Sequence, residues 1–544
     1  MPPWSQRYDP LGSPLASTLV AALPVVVLLG ALASGRVRAH VAALLGLATA
    51  ILCATLIVGM PWSAAAAAAV MGACYGLLPI GWIILNTIFL YQLTKEQGAF
   101  DRMKASIAGV SDDKRVQLVL IAFALGAFFE GAAGFGTPVA ITGAILIGLG
   151  FGPLEASGLS LLANTAPVAF GAMGTPILAL AGVTGIDAGT LSRMVGRQLP
   201  MFSLVIPFWL IAAYDGRRGV RELWPVLLIA GLSFAVPQFL LSNYHGPWLV
   251  DVVSGLCCIL CTALFAGNRG RARPSRVTRD DTGNSRDDGT LARDDGIAWT
   301  PWIVLSIVVF VWGLQPAKAW LNRVFAPQVH VPWLDGIVQR VPPVVAAPQV
   351  EAAVYSFNLL SATGTAILIA AIISGFVLRY DVRGLARAYG RTLAIVWPSL
   401  VTIAAMLALG YVTRYSGLDA ILGLACARTG VLYPIFGTML GWLGVAVTGS
   451  DTSSNVLFGS LQKITATQLG LSPVLMSAAN SSGGVMGKMI DAQSIVVAST
   501  ATRWYGHESR ILRFVFLHSV ALALLVGLLV TLQAYVPPFT ALVP

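Results

Sequence analysis

Four ionisable side chains stand in long stretches that hold few other charges. Glu130 lies in FFEGAAGFGTP, Asp451 lies in TGSDTSSN, and both Lys488 and Asp491 lie in AANSSGGVMGKMID. An ionised acid inside a bilayer is costly, so such residues tend to face a cavity and to mark ion or proton pathways. The pattern predicts proton coupling through Glu130, with Asp451 and Asp491 as further candidates. The alternative is that a neighbouring base or helix N–H groups neutralise Glu130 permanently.

Glycines and hydroxyl or amide side chains surround these charges and interrupt the apolar runs. A helix that starts at such an interruption presents N–H groups with a partial positive charge, which suit a carboxylate. The predicted ligand is therefore a small oxyanion. Two alternatives stay open, because Gly, Ser and Thr also permit close helix packing and because Lys488 and Asp491 share a helical face on which they can pair. The predicted substrate-binding residues are Gly134, Gly136, Thr137, Asn164, Thr165, Ser453, Ser454, Asn455, Asn480, Ser481, Ser482 and Lys488.

The composition indicates which solvent surrounds these residues. Of 544 residues, 56% are hydrophobic and only 11% are charged, whereas a soluble domain carries roughly 25% charged residues. Apolar runs of about 20 residues, long enough to cross a bilayer, recur along the whole chain. We therefore expect a polytopic membrane protein. The predicted spans are 14–34, 41–60, 64–92, 196–213, 223–242, 247–267, 299–315, 354–378, 393–411, 431–448 and 511–534.

The basic residues predict an orientation in the membrane. The net charge of +10 could suit nucleic acid, but the arginines lie in short loops between spans. Cytoplasmic loops of membrane proteins carry most of the Lys and Arg, and one consistent threading places six basic loops there, with both termini and 316–353 on the opposite side. The loop 268–298 repeats RDD three times without apolar residues at helical spacing. It is expected to be a disordered linker.

The two unusual regions of the sequence align at one constant offset. An offset of 316 residues places Asn164 on Asn480 and Gly171 on Gly487 without a gap. The flanking basic residues of the two regions follow opposite patterns, which indicates repeats of opposite orientation.

Each repeat is predicted to contain a re-entrant hairpin followed by a broken helix. The hairpin tips would be 131–138 and 448–455, and the breaks would be 163–176 and 478–491. Non-helical backbone cannot face lipid, so these four segments are expected to meet at one site near the midplane. The predicted fold is all-α, with about 12–14 helices and two inverted repeats. The predicted organisation is a single integral domain, 1–544, with peripheral helices in 1–60, the first repeat and following helices in 61–267, the linker 268–298, connecting helices in 299–378 and the second, inverted repeat in 379–544.

Four strings carry a resemblance to a known family. EGAAGFGTPVAITGAILIG, LLANTAPVAFGAMGTPI, GSDTSSNVLFGSLQ and AANSSGGVMGKMIDAQSI resemble the bacterial lactate permease family, and the resemblance extends across nearly the whole chain. It implies import of L-lactate, and often D-lactate and glycolate, through the inner membrane with protons. It also implies a relation to the ion-transporter superfamily, whose sodium-coupled members use Ser-Asn-Thr steps. Alanine precedes Asn164 and Asn480 here, which weakens the case for a sodium site.

The function expected from the sequence is secondary transport of a small 2-hydroxy monocarboxylate by proton symport. The sequence has no Walker motif and no nucleophile and base near the predicted site, so neither ATP-driven transport nor an enzyme is expected. A channel is disfavoured because a pore does not need paired broken helices. A sodium-coupled carrier of a small mono- or dicarboxylate is the alternative. No cofactor, metal or nucleic-acid partner is expected, and a homo-oligomer is left open.

Overall fold

The fold is known from a computed structural model that describes residues 3–33, 37–98, 102, 110–132, 134, 137–270, 288–505 and 507–544. Most of these residues are helical, which confirms the predicted all-α membrane fold. The helices of the first half are α1 (Pro14–Ala33), α2 (Ala39–Leu52), α3 (Trp62–Tyr75), α4 (Trp82–Glu96), α5 (Lys114–Leu118), α6 (Gly126–Ala132), α7 (Thr137–Gly148), α8 (Pro153–Ala163), α9 (Gly171–Thr184), α10 (Ala188–Val195), α11 (Leu199–Tyr244) and α12 (Val250–Gly270).

The second half adds ten helices to the described chain, and short π or 3₁₀ segments join several helices throughout. These helices are α13 (Asp288–Gly313), α14 (Gln315–Val324), α15 (Thr363–Val377), α16 (Val382–Ser416), α17 (Leu418–Cys426), α18 (Tyr433–Thr448), α19 (Asp451–Gln468), α20 (Pro473–Gly487), α21 (Ala492–Ala501) and α22 (Glu508–Tyr535). The short segments are Cys53–Ile57, Gly76–Gly81, Val119–Leu125, Val168–Phe170, Ala427–Leu432 and Phe539–Leu542.

Five short strands in the described residues form two small sheets. The strands are β1 (Trp4–Ser5), β2 (Gln328–His330), β3 (Val338–Arg340), β4 (Gln349–Val350) and β5 (Val354–Ser356). Strand β1 pairs in parallel with β3, which pairs antiparallel with β4, and β2 pairs antiparallel with β5. The pairing joins the N-terminal strand to the 316–353 segment, as the predicted threading requires of two segments on the same side.

Several helices are long and apolar enough to cross a membrane. The described residues contain eight such segments, or up to ten if each of two bent helix pairs counts as one span. Helix α11 has 46 residues, more than twice the roughly 20 residues that one crossing of a bilayer needs. It holds both predicted spans, 196–213 and 223–242, separated at Gly216, where φ is +66°.

Both predicted hairpins are present. In the first, α6 ends near Gly134 (φ +61°), whose N–H donates to Phe129 O at 3.2 Å, and α7 packs back against α6. In the second, α18 ends at Gly449 (φ +71°), and Ser450 caps α19 by accepting a hydrogen bond from the N–H of Ser453 at 3.3 Å. Left-handed glycines and a serine cap are common devices for ending one helix and starting the next.

The broken helix of the first repeat is also confirmed. Helix α8 and the segment Val168–Thr184 meet at an angle of 62°. Within the bend Ala172 and Met173 have positive φ values of 43° and 57°, a conformation that non-glycine residues rarely adopt.

The break in the second repeat is much shorter than predicted. Helix α20 continues through the predicted break 478–491 as far as Gly487, and only Lys488 to Asp491 separate it from α21. The glycines there do not unwind the helix: a Cβ at Gly483 would collide with Thr438 O, and one at Gly487 would collide with Trp442 O. They permit close packing against α18, the alternative role of small residues in membrane helices.

The two repeats pack against each other in a reciprocal way. Helix α9, the second part of the first broken helix, packs on α19 of the second hairpin, and α21 packs on α7 of the first hairpin. Away from the hairpins and broken helices, α2 and α3 pack along α16, and α4 packs on α15. A Cβ at Gly72 would lie 2.5 Å from Leu407 O, so α3 and α16 approach at backbone distance.

Two further predicted boundaries differ from the structure. The predicted linker 268–298 overlaps α12, which ends at Gly270, and α13, which begins at Asp288; residues 271–287 lie outside the described part. The predicted span 354–378 begins later, at Thr363, because residues 354–356 pair as β5. The apolar composition of that segment did not distinguish a paired strand from a helix start.

Candidate functional site

A cavity lies where the two hairpins meet the two broken helices. It measures about 170 Å³, and because one water needs roughly 10–15 Å³ on this measure, it has room for a small organic acid with some water. Five of the predicted site residues line the cavity: Glu130, Gly134, Asp451, Ser453 and Lys488.

Part of the cavity wall comes from places where the helices are interrupted. The lining includes Gly171, Ala172 and Thr175 from the first break and 448–453 from the second hairpin tip. The first turn of α19 belongs to this wall, and helix starts favour anions through their N–H groups and dipole.

Glu130 lies in the last turn of α6 and is 4% exposed. Its Oε2 accepts a hydrogen bond from Asn164 Nδ2 at 3.1 Å, across from the hairpin to the broken helix. Its Oε1 lies against Gly171, where an added Cβ would come within 2.6 Å. Among the described residues no Lys, Arg or His forms an ion pair with Glu130, and Lys488 is the base that lines the same cavity.

Asp451 is the first residue of α19 and is also buried. Its Oδ2 accepts hydrogen bonds from Ser481 Oγ at 2.5 Å and from Asn455 Nδ2 at 3.2 Å. Its Oδ1 has no hydrogen-bond donor and lies against Gly484, where a Cβ would come within 2.5 Å. The carboxylate is thus held on one side by the hairpin and the second broken helix.

Lys488 and Asp491 form an internal pair at the second break. Lys488 Nζ donates to Gly449 O at 2.6 Å and lies 3.5 Å from Asp491 Oδ2. Asp491 caps α21 by accepting from Ser494 N at 2.7 Å. Lys488 also lines the cavity, so the two roles considered from the sequence, pairing with Asp491 and facing the substrate site, are compatible. Asp491 is held by the pair and the cap.

Asn480 lies in a polar network behind the cavity. It is in the regular helix α20, so the prediction that it marks an unwound segment is wrong. Asn480 Nδ2 donates to Asn455 Oδ1 at 2.9 Å, and Gln462 Nε2 donates to Asn480 Oδ1 at 3.2 Å. Asn455 Nδ2 also donates to Pro176 O at 3.2 Å, which joins this network to the first broken helix.

The other predicted hydroxyl groups bond within the helix packing. Thr165 Oγ1 donates to Leu162 O at 2.8 Å, Ser454 Oγ donates to Gly441 O at 3.0 Å, and Ser482 Oγ donates to Gln198 Oε1 at 2.7 Å. None of these three residues lines the cavity. Gly136 and the side chain of Thr137 lie outside the described part of the chain.

The prediction that residues 1–60 are peripheral is wrong in one respect. Leu28 and Leu32 of α1 and Ala39 of α2 form part of the cavity wall. Helix α2 packs along α16, whose residues Ser399 and Thr402 also line the cavity. An apolar sequence does not specify which helix it will pack against. The position of α1 and α2 at the cavity could therefore not be predicted from the sequence.

Two buried acids, Asp251 and Asp419, were missed in the sequence, and Asp251 lies beside the site. Asp251 is 1% exposed, and none of the described residues donates a hydrogen bond to its carboxylate oxygens. It lies in the first turn of α12, against Gly131, the residue after Glu130. The available signal was a single acid inside the predicted apolar span 247–267.

No group of three or more His, Cys, Asp or Glu residues in the described ranges is arranged to hold a metal ion. The cavity therefore offers two carboxylates, one ammonium group, hydroxyls and a helix start. This set suits a small anion and protons.

Comparisons with known proteins agree with the resemblance found in the sequence. The profile of a family described as L-lactate permease matches residues 17–537. The chain is 46% identical over 549 residues to the L-lactate permease of Salmonella typhimurium, and 46% identical over 555 residues to the glycolate permease GlcA of Escherichia coli K12, with 98% of each chain covered in both cases. Among solved structures it is similar to MtrF of Neisseria gonorrhoeae, with 12% identity and a TM-score of 0.45, over 86% of this chain and 83% of that chain. Identity of this extent over nearly full length shows that the chain belongs to the L-lactate permease family.

Proposed function

We propose that this protein imports L-lactate, D-lactate and glycolate across the bacterial inner membrane by proton symport with alternating access. The observation that carries the proposal is that Glu130, Asp451 and Lys488 line one cavity between the two repeats. The relatives named as L-lactate permease and glycolate permease support a small 2-hydroxy monocarboxylate as the substrate class.

The substrate carboxylate is expected to bind near the first turn of α19. Thr452 and Ser453 line the cavity at this helix start, and Lys488 lies beside them at the second break. Asp451 Oδ2 accepts hydrogen bonds from Ser481 and Asn455. The N–H groups and the ammonium group therefore favour an anion on the cavity side.

Electrostatics supply a reason for proton coupling. Because Lys488 is already paired with Asp491, a bound lactate would add an anion beside Glu130 and Asp451. Two like charges 4 Å apart repel by about 4 kcal/mol at an effective dielectric constant of 20. A proton on Glu130 removes one of these charges, so the substrate and the proton bind together more favourably than either does alone.

Alternating access would require the hairpins and broken helices to move against α16. Beyond the cavity, a Cβ at Gly410 of α16 would lie 2.8 Å from Val456 Cγ1 and 3.0 Å from Val183 Cγ1. Lys463 Nζ of α19 donates to Thr184 O of α9 at 2.7 Å. These contacts hold α16 and α9 against α19, and the proposed cycle requires α16 to separate from α19.

Transport by the purified protein in proteoliposomes tests the proposal. Labelled lactate and glycolate should accumulate when the outside is made acidic, with potassium as the only other cation, and succinate should not. Accumulation that requires sodium, or that follows a sodium gradient without a proton gradient, would support the sodium-coupled alternative and overturn symport with protons.

A further inference from the structure

Asp251 is a buried acid without a hydrogen-bond partner among the described residues. Its side chain is 1% exposed, and neither of its oxygens accepts a hydrogen bond from the described part of the chain. Burying an ionised carboxylate without a partner costs several kcal/mol, and an acid at a helix start normally accepts N–H groups there. A purely structural role for this carboxylate is therefore not evident from its contacts.

The position of Asp251 is fixed against the hairpin that carries Glu130. A Cβ at Gly131 would lie 2.7 Å from Asp251 Cβ and 2.8 Å from Val252 N. One helical turn along α12, a Cβ at Gly255 would lie 2.8 Å from Phe128 Cα. Helices α6 and α12 thus touch at Phe128 and Gly131, on either side of Glu130 in the sequence. This contact holds Asp251 next to the end of α6.

Glu130 is the one charged residue of α6, the helix whose Gly131 lies against Asp251. Of the elements packed on α12, the segment Val119–Leu125 and α9 contain no titratable residue. The charged residues of α11 lie in 215–222, where Asp215 and Glu222 pair with Arg115. Arg115 precedes Glu130 by 15 residues, roughly 22 Å along a helix. On α12 itself the nearby titratable groups are Cys257, Cys258 and Cys261.

We propose that Asp251 is a second proton-binding residue of the transport cycle and exchanges a proton with Glu130. This inference rests on the proposed function, because it assumes that Glu130 binds the coupled proton. In the transfer the O–H bond of the Glu130 carboxyl breaks, a new O–H bond forms on an Asp251 oxygen, and the negative charge moves from Asp251 to Glu130. Asp251 does not line the cavity, so it stores a proton out of contact with the substrate.

The variant Asp251→Asn tests the proposal because it keeps the size of the side chain and removes its titration. In proteoliposomes it should still exchange labelled for unlabelled lactate and should lose accumulation driven by a proton gradient. In infrared difference spectra between lactate-bound and lactate-free protein, a C=O band of a protonated aspartic acid should be present in the unmodified protein and absent in the variant.

A matched control is Asp419→Asn. Asp419 is also buried in the first turn of a helix, α17, but it accepts a hydrogen bond from Ser460. This variant should keep coupled accumulation and the infrared band. Accumulation by Asp251→Asn equal to that of the unmodified protein would overturn the proposal for Asp251.

The variant Glu130→Gln distinguishes failure of the proposal for Asp251 from failure of proton coupling through Glu130. If this variant loses accumulation while Asp251→Asn keeps it, the role of Asp251 is refuted and proton coupling through Glu130 stands. If both variants keep it, coupling through Glu130 is refuted as well. Should Asp251→Asn not fold, unmodified protein with isotope-labelled aspartate provides the measurement, and the absence of a lactate-sensitive aspartic acid band overturns the proposal.

Discussion

At the scale of single residues, the two repeat-related asparagines have different surroundings. Asn164 donates to Glu130 at the cavity, whereas Asn480 bonds to Asn455 and Gln462 behind it. In the proposed mechanism lactate binds together with a proton on Glu130, whereas an N–H donor such as that of Asn164 stabilises the ionised carboxylate. We therefore expect Asn164→Ala to extend lactate binding to higher pH, by about one pH unit for each 1.4 kcal/mol of hydrogen bond that is lost, without lowering the yield of folded protein.

Asn480→Ala should instead lower thermal stability, because Asn455 Oδ1 loses its donor and Gln462 Nε2 loses one of its two acceptors. Lactate titration at several pH values and thermal unfolding in detergent would separate these effects. The same change of binding in both variants, with unchanged unfolding temperatures, would contradict the division of roles.

Gly171 leaves the space that Glu130 occupies. Gly171→Ala would place a Cβ 2.6 Å from Glu130 Oε1, so the carboxyl group must move and coupled transport should be lost. Gly143→Ala on α7 is the matched control, because its Cβ would meet Thr502 Cγ2 at an ordinary 3.5 Å. Uptake assays on equal amounts of folded protein compare the two, and normal uptake by Gly171→Ala would show that the Glu130 position is not critical.

At the scale of elements, the bend after α8 depends on a left-handed stretch. Gly174 has φ +76°, and a Cβ there would lie 2.7 Å from Pro247 Cβ. The left-handed conformation costs a non-glycine residue about 1–2 kcal/mol, and overpacking adds about 1–3 kcal/mol. Gly174→Ala should lower the unfolding temperature clearly, whereas Gly148→Ala, which meets nothing within 4 Å, should leave it nearly unchanged. An unchanged unfolding temperature for Gly174→Ala would contradict the proposed role of the bend.

The sequence predicted the elements around the site unevenly. The hairpin tips and the first break were predictable because glycine, proline and capping residues there act through the local backbone. The predicted second break was too long. Helix α20 continues through Gly483, Gly484 and Gly487, which allow α18 to pack closely against it. A glycine that bends a helix and a glycine that admits a neighbour have the same sequence signal, and only the tertiary contact distinguishes them.

At the scale of the whole molecule, the cavity combines repeat helices with helices outside the repeats. The repeats were predictable from their alignment, whereas the wall formed by Leu28, Leu32 and Thr402 was not. The sequence of a uniformly apolar helix does not indicate which other helix it packs against. The contribution of Asp251 was likewise hidden, because its importance depends on the contact between α12 and Gly131.

Alternating access predicts that α16 moves relative to the hairpins and broken helices. A disulfide between Gly410→Cys and Val456→Cys, in a background without the native cysteines, would join α16 to α19 where a Cβ at Gly410 lies 2.8 Å from Val456 Cγ1. It should abolish lactate uptake until reduced. The control pair Gly46→Cys and Leu409→Cys joins α2 to α16, and uptake should persist. Full uptake by the first oxidised pair would contradict alternating access at this contact.

The most direct test of the central claim is the behaviour of Glu130→Gln in proteoliposomes. Glutamine keeps nearly the size of the acid and removes its titration, so labelled lactate should still exchange across the membrane but should not accumulate when the outside is acidic. Asp451→Asn serves as the comparison, because Asp451 lies in the other hairpin and already accepts from Ser481 and Asn455; it should not show this separation of exchange from accumulation. If Glu130→Gln accumulates lactate with undiminished dependence on the proton gradient, Glu130 does not carry the coupled proton and the account is contradicted.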